Sequence, residues 1–138
     1  MKKYLSISLL LITFFFLSGC GGSSNVEVTG RVTLKGQNFQ NIRGGGVTFV
    51  PKTGKPFYGE LQPDGTFQVK ASDNKKGIPP GEYQLAVRVQ SQEFEGSNKN
   101  NDAQPKLLSP KKYLDIKTSG LTQTIPAGGI KDLVINLE

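Results

Sequence analysis

The residues able to do chemistry are few in this chain. Cys20 is the single cysteine among 138 residues, and there is no histidine. Without His there is no His-based triad, no His general base and no His-ligated metal. One Cys makes no intramolecular disulfide, thiolate zinc site or iron–sulfur cluster. Carboxylates, lysines and aromatics remain. Glu93 and Glu95 share a face if their strand runs on past Gln90, but the polar sequence around them offers nothing to desolvate a carboxylate and tune it as an acid. Asp64, Asp73 and Asn74 are oxygen ligands without the spacing of a calcium loop, and turn formation accounts for them. Gly44-Gly45-Gly46 lacks the Lys-Ser/Thr pair and the following helix of a phosphate-cradling loop, so it is expected to be a loop entering a strand. These residue types point away from an enzyme and call for no cofactor and no metal.

They leave more room for binding. Lys99, Lys106, Lys111, Lys112 and Lys117 cluster in a chain whose formal net charge is +6. Such a cluster suits anionic head groups or acidic glycans, and also plain solvation. Phe39, Phe57, Tyr58, Phe94 and Tyr113 fall outside the regular inward pattern and are the candidates for a carbohydrate platform. The polar stretch 91–110 loses all periodicity and is expected to be one long loop, functional or mobile. Phe94, Lys99 and Lys106, with Lys111 and Lys112 just beyond, make it the candidate interaction loop.

The N-terminus reads as an address. Lys2 and Lys3 precede a mostly apolar run, Tyr4 to Leu17, of 14 residues. At roughly 1.5 Å per residue that is about 21 Å of helix, short of the ~20 residues a bilayer span needs, so it fits a secretion signal. The run ends in Leu17-Ser18-Gly19-Cys20, which resembles the bacterial lipobox. The resemblance implies a diacylglycerol thioether on Cys20, cleavage between Gly19 and Cys20, and acylation of the new N-terminus. Two or three acyl chains hold stably where one, at roughly 0.8 kcal/mol per buried CH₂, holds only marginally. The expected organisation is a signal peptide over 1–19, a lipidated Cys and flexible tether over 20–24, and one domain over 25–138. Gly21 stands where an Asp retains many lipoproteins in the inner membrane, so the same resemblance implies export to the outer membrane. Export, and the lack of a base-stacking module, make nucleic acid an unsuitable partner.

The domain that must position these residues has a period of two, the period of strands. Val26, Val28, Val32 and Leu34 alternate with polar residues, and Gly30 falls on their apolar side. Val47 and Phe49 predict a short strand stopped by Pro51. Phe57–Gln62 and Thr66–Lys70 predict a hairpin about the turn Gln62-Pro63-Asp64-Gly65. A type II turn at Pro80-Gly81 is expected to launch the clearest strand, with Tyr83, Leu85, Val87 and Val89 inward. Leu121–Ile125 and Leu133–Leu137 supply the last two. Leu61, Phe67, Val69, Ile125, Ile135 and Leu137 join the expected core. Seven short strands separated by turn signals predict an all-β antiparallel sandwich.

Val28-Thr29-Gly30-Arg31-Val32, Gly46-Val47-Thr48-Phe49-Val50-Pro51, Pro63-Asp64-Gly65-Thr66-Phe67, Pro79-Pro80-Gly81-Glu82-Tyr83, Lys112-Tyr113-Leu114-Asp115 and Thr118-Ser119-Gly120-Leu121 occur in this order along the chain. Together they resemble the carboxypeptidase-regulatory-like domain of small bacterial lipoproteins, planctomycete type. The resemblance implies a transthyretin-like (prealbumin-like) seven-stranded Greek-key sandwich on a lipid anchor. Its role would be non-catalytic: a structural or protein-interaction module meeting an envelope protein, or a small-ligand or glycan binder using loops at one end. Transthyretin relatives that hydrolyse a purine-derived substrate use a His-rich site, which cannot be carried over to a chain without His. Two departures stand out: Gln123 replaces an apolar residue, as at an edge, and Gln37-Asn38-Phe39-Gln40-Asn41 lengthens the first loop.

Overall fold

A computed structural model describes residues 24–70, 77–95 and 104–138. Gly19, Cys20, Asp73, Asn74 and Lys99 lie outside the described residues, as does the side chain of Phe94. The fold is all-β. Its strands are β1 (Val28–Leu34), β2 (Gln37–Asn38), β3 (Ile42–Pro51), β4 (Phe57–Leu61), β5 (Thr66–Lys70), β6 (Gly81–Glu95), β7 (Gln104–Leu107), β8 (Leu121–Ile125) and β9 (Ile130–Leu137). A 3₁₀ turn, Lys111–Leu114, and a single α-helical turn, α1 (Ile116–Ser119), stand between β7 and β8.

The described strands number nine, not seven, and they join in one sheet curled into a half-barrel. The order is β2–β1–β5–β4–β3–β6–β7, with β9 added beside β1 and β8 beside β6. β1 and β9 run parallel, and every other pairing is antiparallel. The β4–β5 hairpin forms about the expected turn. Gly65 takes the left-handed φ of 81°, its N–H donating to Gln62 C=O (2.9 Å), and the Asp64 carboxylate accepts from Thr66 N–H (3.0 Å). Pro79-Pro80-Gly81 departs from expectation. Gly81 sits at φ 154°, far from the roughly +80° of a type II turn, and is already the first residue of β6.

Alternation fills the concave side. Val28, Val32, Val47, Phe49, Leu61, Phe67, Val69, Tyr83, Leu85, Val87, Val89, Ile125, Ile135 and Leu137 are buried, as the period of two requires. Val26, Leu34, Leu121 and Leu133 are half-buried against them. Phe49 is at the centre, its ring 6.1 Å from Tyr83 edge-on and 6.2 Å from Phe67. Gly30 relieves packing as anticipated: a Cβ there would strike the Leu133 carbonyl and the Phe67 ring. Four further core residues, Phe39, Ile42, Ile78 and Tyr113, come from outside the expected strands.

Two elements are longer than expected. β3 begins at Ile42, so Gly44-Gly45-Gly46 is strand and not a loop before it. β6 runs on to Glu95, and β7 pairs with its far half, Gln90 opposite Leu107 and Glu95 opposite Gln104. Much of the stretch expected to be loop between 91 and 110 is therefore a pair of strand arms. Polar residues can occupy both faces there because the arms extend beyond the end of β3, which pairs no further along β6 than Ser91.

Candidate functional site

The stretch from Ser109 to Ser119 is where sequence-predicted site residues and the architecture meet. β6 is the longest strand, and its edge away from β3 is shared: β8 pairs with Gly81–Leu85 and β7 with the far end from Gln90. Between them the backbone needs other partners, since a buried N–H or C=O left alone costs about 1–3 kcal/mol. Two buried serines provide two of them. Ser109 Oγ accepts from Val89 N–H (3.1 Å), and Ser119 Oγ donates to Leu85 C=O (2.5 Å). Residues 109–119 thus form a strap along the β6 edge.

The strap is built from its own polar residues. Asp115 caps α1, its carboxylate accepting from Lys117 N–H (2.9 Å), and Thr118 Oγ1 donates to Lys112 C=O (2.7 Å). Tyr113 turns inward, and its hydroxyl accepts from Glu138 N–H (2.9 Å) at the end of β9. The strap therefore reaches from one outer edge of the sheet to the other. Its outward face carries Lys111, Lys112 and Lys117, all exposed. Lys112 Nζ stands 4.8 Å from the Tyr113 ring centre. Lys106 lies on β7, half-buried. Of the candidate interaction residues, Lys111 and Lys112 share one short segment with Lys106 on the strand before it.

The lysines lie away from the point where the chain enters. Val26 bridges to Ile78 at the end of the sheet marked by Pro51, Gly81 and Ile125, whereas the strap reaches the last residue, Glu138, beyond the opposite end of β9.

The aromatic candidates separate. Phe39 and Tyr113 are core and so form no platform. Phe57 is half-buried, 6.0 Å from Tyr83 edge-on. Among the described side chains of this set only Tyr58 is substantially exposed, at 49%, with its ring lying over Gly46 on the convex side. Burial and the charge of Glu60 push its phenol above the ordinary value, with Arg88 opposing. At the entry end, Pro51, Phe57, Pro79, Pro80 and Tyr83 line a depression of about 260 Å³. Tyr83 Oη donates to Pro79 C=O (2.6 Å), and burial raises its pKa. Lys52 and Glu82 form an exposed ion pair at 2.9 Å. The hydrogen bond and charge of each shift the other: Lys52 upward, Glu82 downward.

Asp64 does the turn work assigned to it. The Thr66 hydroxyl (2.7 Å) and then the Thr66 N–H hold its carboxyl below the usual range. Glu93 is an exposed residue of β6, and the side chain of Glu95 lies outside the described residues. Among the described residues, no buried side-chain nitrogen or oxygen lacks a hydrogen-bond partner. The strap's architectural role was missed in the sequence, although its signal, Tyr-Leu-Asp followed by Thr-Ser-Gly, was visible as a motif.

Compared with known proteins, the chain matches no family model, no curated protein and no solved structure.

Proposed function

We propose that this chain is a lipid-anchored cell-envelope protein whose β domain is a non-catalytic interaction module. Cys20 carries the lipid after cleavage from Gly19, and the anchor delivers the domain to the outer membrane. The curled sheet is read as an opened prealbumin-like Greek-key sandwich of the carboxypeptidase-regulatory-like kind, on the strength of the ordered landmarks from Val28 to Leu121. One observation supports the module reading above the others: Ser109 and Ser119 fasten the strap to the sheet and Asp115 and Thr118 brace it internally, while the strap displays Lys111, Lys112 and Lys117 to solvent. Such a surface suits an acidic partner, an envelope protein or an acidic glycan.

The test is capture of partners from native envelope by the lipidated chain and by a Lys111→Glu/Lys112→Glu variant. The reading expects selective partners that the variant loses, more readily at higher salt. Identical capture by both would refute the strap as the contact surface. A second reading, a small-ligand or glycan site at one end, is favoured by the proline- and aromatic-lined depression at the entry end. A glycan array separates the two: selective binding abolished by Phe57→Ala supports the end site.

A further inference from the structure

The convex face of the sheet holds an aromatic ring that the core does not use. Val47 and Phe49 point inward from β3, so Gly46 faces the convex side, directly between Glu60 of β4 and Arg88 of β6. With neighbouring strands about 4.8 Å apart, the Glu60 and Arg88 Cα atoms stand about 10 Å from each other across a position that has no side chain. The Tyr58 ring lies in that gap. A Cβ at 46 would strike its Cζ and Oη, so the hydroxyl end of the ring rests on bare backbone. Both flanking charges reach the phenol, Glu60 raising its pKa and Arg88 lowering it. One side of the ring is against the sheet, while Glu60 and Arg88 are exposed on either side. None of the three has spent its polar group: among the described residues, the Tyr58 hydroxyl, the Glu60 carboxylate and the Arg88 guanidinium enter no hydrogen bond or ion pair. Gln68, opposite Glu60 on its other side, donates to Glu27 (2.9 Å) and leaves Glu60 free.

We propose that this face binds a neutral saccharide, with the open side of the Tyr58 ring as its platform and Glu60 and Arg88 as its hydrogen-bonding flanks. The C–H groups on one side of a sugar ring carry partial positive charge and pack on the negative face of an aromatic ring. Sugar hydroxyls both donate and accept. One ligand therefore satisfies a carboxylate that only accepts and a guanidinium that only donates. Other occupants fit worse: an anion would meet Glu60, a cation would meet Arg88, and an apolar partner would bury both charges unpaired. The two charges cancel, which sets this face apart from the lysines of the strap. It is convex and unenclosed, so it suits one unit of an extended glycan chain and not a small molecule that needs a pocket. The site is also separate from the depression at the entry end, because Phe57, which lines that depression, points to the opposite side of β4 from Tyr58.

The test is titration of the full chain with neutral hexose and N-acetylhexosamine oligomers, beside acidic uronate oligomers, followed by calorimetry and by the ring resonances of Tyr58. The site predicts that a neutral oligomer binds, shifts the Tyr58 ring and holds nearly as well at high salt. Tyr58→Ala should abolish that binding, and Tyr58→Phe should retain most of it. Glu60→Gln and Arg88→Gln should each weaken it about tenfold, since a hydrogen bond to a neutral amide is roughly half as strong as one to a charged group. Should Tyr58→Ala fail to fold because Gly46 loses its cover, the two exposed flanking variants decide. Binding of no neutral oligomer overturns the proposal and leaves the ring to a protein partner. Neutral binding that survives in folded Tyr58→Ala, or undiminished in both flanking variants, also overturns it. So does binding lost only in Phe57→Ala, which would put the glycan at the entry end, or binding of acidic oligomers alone, which would put it on the strap.

Discussion

At the β6 edge, the opening between β7 and β8 is bridged at both ends: Ser109 bonds to Val89 and Ser119 to Leu85, and the strap runs alongside. At the β9 edge, Val134 and Asn136 face outward with their backbone groups unmatched among the described residues. Both edges bound the same sheet and meet through one side chain, Tyr113, which belongs to the strap and touches the end of β9. The difference shows what finishing a sheet edge requires when no strand is available. A hydroxyl at the right spacing can stand in for a backbone partner, provided a short segment is stiff enough to hold it there.

Mutation can break this contrast. Tyr113→Ala should have the largest effect, about 3–5 kcal/mol of lost stability, because it empties a buried aromatic site and detaches the strap from β9. A denaturant midpoint that hardly moves would mean the strap rests on the sheet without supporting it. Next, Ser109→Ala and Ser119→Ala should each cost about 1–3 kcal/mol by leaving Val89 N–H or Leu85 C=O buried without its partner. Amide exchange at Val89 sharpens the test, since it should rise in Ser109→Ala and stay slow in Ser119→Ala. On the bare edge, Val134→Thr should shift the stability of the single chain by no more than about 0.5 kcal/mol, the range of ordinary surface changes. A larger loss there would show that the β9 edge is packed against something.

The sequence was most legible where a strand is half-buried and alternation is forced. Tyr83, Leu85, Val87 and Val89 give β6 its inward face, and Leu121–Ile125 gives β8 residue for residue. Gln123 signals an edge, and among the described strands β8 pairs with β6 alone. Phe39, Ile42 and Ile78 were illegible because each is an isolated apolar residue in a polar or turn-rich stretch, and Tyr113 because it stands in a short 3₁₀ turn beside Leu114, so no period of two points any of them inward. The continuation of β6 past Gln90 was hidden for the opposite reason: beyond the core neither face has to be apolar. The parallel pairing of β1 with β9 joins residues about a hundred positions apart, and nothing local encodes it. As for the site, the lysines of the strap were visible as charge, but the serines that anchor it looked like ordinary loop residues.

The proposed module depends above all on the anchor at Cys20, which metabolic labelling with a clickable fatty acid tests most directly. The wild-type chain should take up the label and shorten by its leader, while Cys20→Ser should remain unlabelled and unprocessed, with its β domain still folded. Equal labelling of the two chains, or none in the wild type, would contradict a lipid-anchored module.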